Sequence, residues 1–377
     1  MDNSKKLRFK NGKLKIMQIT DTQDTQKTAT DTVRLIEAAL DTEKPDLVVF
    51  TGDQIKGYGF NLAGGDGNEK ARITIDKIIA PLEKRGIPFA ATFGNHDRFA
   101  GCGKEKQIEY YKSYSTCVNG SSDDSMPGGL ATFNLPIYSE NADKVVFNLY
   151  IIDSLEKNPD GGYAAVSPEQ IKWYEKTSQQ LKAENGGKPV PSLVFQHIPV
   201  PEMYRLLKKV SKDTKGAIQG NRANPDFYIL DEKWQKPGSF MKENIASPFK
   251  SSGQFDSWVK QGDVIGAYFG HDHINCFNGT VDGIDLGYTP GAGFNVYGPG
   301  LDRGVRVFEI DENSPEKYET RVITYRSLLG KRVTNPFKYF IYTHAPSSFD
   351  AAKPMIIKGV VTAAVIAAGA VIIKYAF

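Results

Sequence analysis

The chain has 377 residues, 40% hydrophobic and 24% charged, an ordinary balance for a globular protein with a substantial core. Its 47 basic and 44 acidic residues leave a net charge of +3, which gives no support to a polyanion-binding surface, and no basic stretch interleaves with aromatics as a nucleic-acid platform would. Three cysteines, Cys102, Cys117 and Cys276, form no CxxC pair. Cys102 and Cys117 could pair across a loop, but an odd total without a framework fits a reducing compartment better.

In chain order, Leu14 to Ile19 alternates as a first strand, and no apolar stretch precedes it, so the expectation is a chain without a secretory leader. Val33, Ile36, Ala39 and Leu40 make a helical stripe that ends before Pro45, and Leu47-Val48-Val49-Phe50 reads as a buried strand. A glycine-rich loop, Gly57 to Gly67, leads to a helix with Ile75, Ile78, Ile79 and Leu82 on one face, and Ile87 to Thr92 is a third strand. After a loop-rich stretch, Lys144 to Ile152 is another strand. Ser167 to Gln170 forms a capping box with Pro168 at the first helical position, opening a helix that carries Ile171, Trp173 and Tyr174. Ser192 to Phe195 and Val264 to Phe269 are further core strands, and Gly283 to Thr324 reads as short strands with glycine turns. No repeat and no internal boundary appears, so residues 13–340 read as one mixed α/β domain. A linker is expected over 341–354. From Met355 to Phe377 the chain is apolar except for Lys358, Thr362 and Lys374, long enough for a transmembrane helix if the lysines snorkel, with a buried or interfacial helix as the alternative. The expected arrangement is a cytoplasmic body tail-anchored to an intracellular membrane.

Four of the five histidines, His96, His197, His271 and His273, fall just after expected strands, as do two aspartates and an asparagine. The strand-end motifs are Asp21-Thr22-Gln23, Gly52-Asp53-Gln54, Gly94-Asn95-His96-Asp97, Phe195-Gln196-His197 and Gly270-His271-Asp272-His273. Strand ends of α/β sheets gather ligands, and carboxylate, amide and imidazole are donors for borderline divalent metals. Each motif alone is weak; a lone histidine after a strand is more often a satisfied core residue. Their joint occurrence carries the inference.

In that order the motifs resemble those of calcineurin-like metallophosphoesterases, and more closely the purple-acid-phosphatase-like branch of plants and fungi, some of whose members are labelled inactive. The stretches Asp46 to Asp53, Phe195 to Pro199 with Pro201-Glu202, Phe269 to His273, Gly161-Gly162-Tyr163, Gly291 to Phe294 and Tyr297-Gly298 carry the likeness, which runs from about Lys13 to Glu309. The resemblance implies an α/β fold of four layers: two mixed sheets packed as a sandwich and flanked by helices, here with an added C-terminal hydrophobic helix. It implies two divalent metals (Mn, Zn or Fe) bridged by Asp53, with Asp21 and His273 on the first and Asn95, His197 and His271 on the second. It further implies hydrolysis of phosphomonoesters of a phosphoprotein or small metabolite by a metal-bound hydroxide. His96 would act as general acid or stabilise the transferring phosphoryl charge, with Asp97 orienting its ring. One position departs: the family's histidine two residues after the first aspartate is Gln23, a poorer ligand that could weaken the first site or shift it toward Mn or Mg. Lys56 stands where the purple enzymes carry a tyrosine ligand, and Tyr58 is displaced from that position. Arg98 is expected either to reach a substrate phosphate or to make a surface ion pair, and Asp153, Asp272 and His344 are expected to be structural or superficial. Alternatives are a phosphodiesterase on the same scaffold, differing in loops Gly57 to Gly67 and Gly101 to Gly129, and a catalytically lapsed, membrane-tethered binding protein.

Overall fold

Alternating and continuous apolar runs pair into two main sheets in the computed structural model, which describes residues 6–58, 65–99, 101–120, 125–156, 162–221 and 224–345. A five-stranded sheet runs in the order Tyr318–Thr324, Gly304–Asp311, Lys13–Ile19, Leu47–Thr51, Phe89–Thr92. A seven-stranded sheet runs Leu7–Arg8, Phe133–Tyr138, Val145–Ile152, Ser192–Gln196, Val264–Phe269, Ile284–Tyr288, Asn278–Val281. Both are mixed. In the first, Lys13–Ile19, Leu47–Thr51 and Phe89–Thr92 are parallel, with the antiparallel Gly304–Asp311 beside them. In the second, Val145–Ile152, Ser192–Gln196, Val264–Phe269 and Ile284–Tyr288 are parallel.

Because side chains alternate across a strand, each central strand feeds two cores. Ile16, Leu47, Val49 and Phe308 of one sheet meet Phe147, Leu149, Ile151, Leu193 and Phe195 of the other. The opposite faces carry Met17, Ile19, Val48 and Phe50 against helices Thr30–Glu43 and Gly67–Glu83, and Tyr150, Val194, Ala267 and Phe269 against helices Pro168–Glu184 and Gln254–Gln261. The four-layer sandwich expected from the motifs is the one that forms. At about 1.5–3 kcal/mol for each large apolar side chain fully buried, this double-faced burial holds the strand ends rigid.

The Ser167 cap is as expected: its side chain accepts from the Gln170 amide, whose own side chain returns the bond. All three cysteines are free and buried. Strand Phe133–Tyr138, helix Lys104–Lys112 and the small sheet of Leu207–Val210, Phe227–Leu230 and Ile218–Gln219 were not foreseen. Helix Pro336–His344 passes through residue 341, where a linker was expected to begin, and the Tyr342 carbonyl accepts from the Gly298 amide at 3.1 Å. The rest of that linker from 346 and the whole expected anchor, 355–377, lie outside the described residues. Among the described residues no helix is long and apolar enough to cross a membrane.

Candidate metal centre

The strands that end together aim their loops at one point. Asp21 lies two residues past Ile19, Asp53 two past Thr51, Asn95 three past Thr92, His197 directly after Gln196, and His271 two past Phe269. The turns are sharp. Asp21, Asp53 and His271 have φ of 51°, 52° and 74°, a left-handed backbone that costs a non-glycine residue of order 1–3 kcal/mol. Gly52, at φ 91°, permits the closest approach: a Cβ there would stand 2.5 Å from the Gly94 amide nitrogen. Strain of this kind persists only where the surroundings over-determine it.

Asp97 supplies much of that determination. It is wholly buried, and its Oδ2 accepts from the Asp53 and Gly94 amides at 2.7 and 2.8 Å while Oδ1 accepts from Ile55 at 3.2 Å. The carboxylate therefore clamps the Asp53 loop to the Gly94 loop. This corrects the expectation that Asp97 orients the His96 ring: both of its oxygens are engaged with backbone. Burial first, then the neighbouring Asp53 charge, push the Asp97 carboxyl up to about 7.

The donor atoms converge. Asn95 Oδ1, His271 Nδ1 and Asp53 Oδ2 lie 3.2, 3.2 and 3.3 Å from His197 Nε2. Those separations come close to the edges of about 3.4 Å expected when ligands at about 2.1 Å share one ion at tetrahedral angles. His197 Nδ1 meets the Thr51 carbonyl at 2.9 Å, so Nδ1 carries the proton and Nε2 is turned inward. On the other side His273 Nε2 lies 3.2 Å from Asp21 Oδ1, and His273 Nδ1 donates to the Tyr297 carbonyl at 2.9 Å. The Tyr297 ring stacks flat on His273, centroids 4.2 Å apart. Asp21 Oδ2 is held by the Thr20 hydroxyl (2.7 Å) and the His271 amide (2.9 Å). Its Oδ1 is buried and without a hydrogen-bond partner, as is His271 Nε2. An orphaned carboxylate oxygen pointing into a cluster of acceptors fits a cation, because a buried charge left unpaired is costly. Among the described residues the donor atoms of Asp21, Asp53 and His197 come within 4.8 Å of one another.

Electrostatics agree. Burial opposes the Asp53 charge, but His197 and His96 outweigh it and hold that carboxyl far below its usual range. Burial likewise lowers His197, yet the Asp53 and Asp21 carboxylates push it up to about 10. His271 is pushed well below its ordinary value by burial and by His197.

Gln23 joins the site. Its side-chain nitrogen lies 2.8 Å from Asp53 Oδ2 and 3.2 Å from His273 Nε2. Tyr58, set aside on sequence, also belongs here: its hydroxyl donates to Gln23 Oε1 at 3.1 Å and its ring packs on His96, centroids 4.7 Å apart. The His96 amide donates to Asp53 Oδ1 at 2.8 Å, and His96 is half-buried where Asn95 and Asp97 are buried, at the rim of the cluster. Lys56 turns away and donates to the Asn295 carbonyl at 2.8 Å. Glu243 was also missed; it accepts from Tyr297 (3.0 Å) and the Ile274 amide (2.7 Å), bracing the residues around His273. Asp272 accepts from Ala246 at 3.0 Å and from the Tyr288 hydroxyl, a loop brace as expected. Asp153 pairs with Lys104 at 3.0 Å, Arg98 makes a surface ion pair with Glu156 at 2.9 Å, and His344 bonds its own helix.

A four-layer α/β sandwich with acids, an amide and imidazoles gathered at parallel strand ends defines the class of metal-binding phosphoesterase folds. The chain belongs to the calcineurin-like phosphoesterase family, whose profile matches residues 14–275. It is similar to "Probable inactive purple acid phosphatase 29" of Arabidopsis thaliana, at 29% identity over 83% of this chain and 81% of the relative. It is also similar to "Probable inactive purple acid phosphatase 14" of the same plant, at 32% identity over 74% of this chain and 66% of the relative. "Phosphatase DCR2" of Saccharomyces cerevisiae is 27% identical over 79% of this chain, which spans 48% of that relative.

Proposed function

We propose that the chain is a two-metal-dependent phosphoesterase that hydrolyses phosphomonoesters of a phosphoprotein or small metabolite. The observation that carries this is the inward-facing donor cluster, with Asp53 Oδ2 shared between the His197 side (3.3 Å) and the Gln23–His273 side. Asp21, Asp53 and His273, with Gln23, would hold one cation, and Asp53, Asn95, His197 and His271 the other; the mixed oxygen and nitrogen set suits Mn, Zn or Fe. When bound, such cations polarise the phosphoryl oxygens and acidify a water. The remaining work falls to the chain. The His197 and His273 rings are locked by their bonds to the Thr51 and Tyr297 carbonyls, which keeps each Nε2 aimed inward. His96 sits at the rim, placed to give a proton to the departing oxygen. The purified chain with added Mn or Zn should hydrolyse para-nitrophenyl phosphate faster than its bis ester. The reverse preference would make it a phosphodiesterase.

A second reading, a catalytically lapsed binding protein, is favoured by one observation: an amide nitrogen, rather than an imidazole, faces Asp53 and His273. Folded, metal-loaded protein without turnover on either ester would favour it. We further propose that residues 355–377 anchor the body to an intracellular membrane from its cytoplasmic side, a reading supported by their sequence alone. Release of the full chain into the soluble fraction by carbonate would count against that.

A further inference from the structure

We infer that Gln23 is a turnable ligand, so that the half-site of Asn95, His197 and His271 fills first and the half-site of Asp21 and His273 fills only when the Gln23 amide rotates. This rests on the reading above and deepens it. The argument comes from counting donors and acceptors. His273 Nδ1 donates to the Tyr297 carbonyl, so in the neutral imidazole, the form that ligates a metal, His273 Nε2 carries the lone pair. Asp53 Oδ2 can only accept while it is ionised. Between them stands the Gln23 amide, 1% exposed, with its nitrogen 2.8 Å from the carboxylate and 3.2 Å from the imidazole. A primary amide carries two N–H bonds, one for each acceptor.

The opposite rotamer would bring Gln23 Oε1 against these same two acceptors, with the unpartnered Asp21 Oδ1 3.2 Å from the imidazole. Four acceptors without a proton among them are tolerable only around a cation. Which end of the amide points inward is therefore tied to whether a cation is there. Tyr58 makes both states possible: its hydroxyl donates to Gln23 Oε1 now at 3.1 Å, and the same hydroxyl can accept from the nitrogen after rotation. No such covalently fixed N–H donor stands among Asn95 Oδ1, His271 Nδ1 and His197 Nε2. A cation entering the Asp21–His273 half-site must break two amide hydrogen bonds, one of them to a carboxylate, and gains in exchange only a neutral amide oxygen. Losing a hydrogen bond to a charged group lowers affinity about 10- to 100-fold.

The test is a titration of the metal-stripped full chain with Mn²⁺, followed by equilibrium dialysis and electron paramagnetic resonance at fixed pH. The wild type should bind its first equivalent as an isolated ion with an uncoupled six-line signal, and its second at roughly 10- to 100-fold higher free Mn²⁺, with exchange coupling appearing only then. Gln23→His and Gln23→Glu, neither offering a fixed amide nitrogen, should close that gap and give coupled pairs from the start of the titration. Two equal sites with early coupling in the wild type, or an unchanged gap in both variants, would overturn the inference and leave the proposed function standing. No Mn²⁺ bound by folded wild type or variants would sink the proposed function, and this inference with it.

Discussion

Replacing Asp97 by asparagine separates a loop clamp from a catalytic partner. The carboxylate takes three buried backbone N–H groups, two on Oδ2 (2.7 and 2.8 Å) and one on Oδ1 (3.2 Å). In Asp97→Asn the single oxygen serves the Asp53 and Gly94 amides, and the new NH₂ confronts the Ile55 N–H. One bond is lost and a buried donor is stranded, which costs about 1–3 kcal/mol. Asp97→Ala strands all three, a loss comparable with the whole 5–15 kcal/mol stability of a typical domain, so that variant should not fold. Because Asp53 hangs from this clamp, Asp97→Asn should also weaken metal binding about 10- to 100-fold, as loss of an outer support does elsewhere. Urea unfolding followed by circular dichroism, with bound Mn measured on the same samples, checks both. Wild-type stability and metal content combined with lost turnover would refute the clamp and restore a direct role on His96.

Other expectations follow from the same geometry. His96→Asn should lower turnover about 10²- to 10⁴-fold with metal content unchanged, measured by kinetics beside elemental analysis; loss of metal would make His96 a ligand instead. In Gly94→Ala the new Cβ would lie 2.2 Å from Asp53 Oδ1 and 2.6 Å from the Asp53 amide nitrogen, so the shared carboxylate must move. Metal binding should collapse together with about 1–3 kcal/mol of stability, read by calorimetry and dialysis. Asp31 accepts from the Thr334 amide and hydroxyl, the Tyr325 hydroxyl and Arg34. Burial alone would raise its pKa, but these bonds outweigh burial and hold it below the usual value. Its stabilising contribution is therefore complete above the unfolded value of about 3.9 and is lost as pH falls through the lower folded pKa. Asp31→Asn should be less stable than wild type near neutrality, with the two urea midpoints converging in acid; parallel curves would contradict this.

Much of the site could be read from sequence because its residues follow apolar runs that admit one reading. Leu47 to Phe50 is buried throughout and Val264 to Phe269 at every position but Ile265, so the positions of Asp53 and His271 at strand ends followed directly. Phe133–Tyr138 escaped notice because Pro136 interrupts it and its burial alternates, as suits a strand with one half-covered face. Glu243 meets the site only through tertiary contacts and nothing in its local pattern announces it, while the contacts that bring Tyr58 and Tyr297 to the site are likewise tertiary. Asp97 was found but its role was misjudged: adjacency to His96 suggested a partner for the ring, whereas the backbone geometry turns the carboxylate toward Asp53. Gln23 was visible as a departure, but the direction its amide faces depends on neighbours as distant as His273.

The central claim is that Asp21, Asp53, Asn95, His197, His271 and His273 enclose cations. Anomalous diffraction at the manganese edge from crystals equilibrated with Mn²⁺ tests it most directly. The account predicts a strong peak bounded by Asp53 Oδ2, Asn95 Oδ1, His197 Nε2 and His271 Nδ1, and at higher Mn²⁺ a second one beside Asp21 and His273. A map with no peak among these atoms, or with Mn²⁺ bound only elsewhere on the chain, would contradict it.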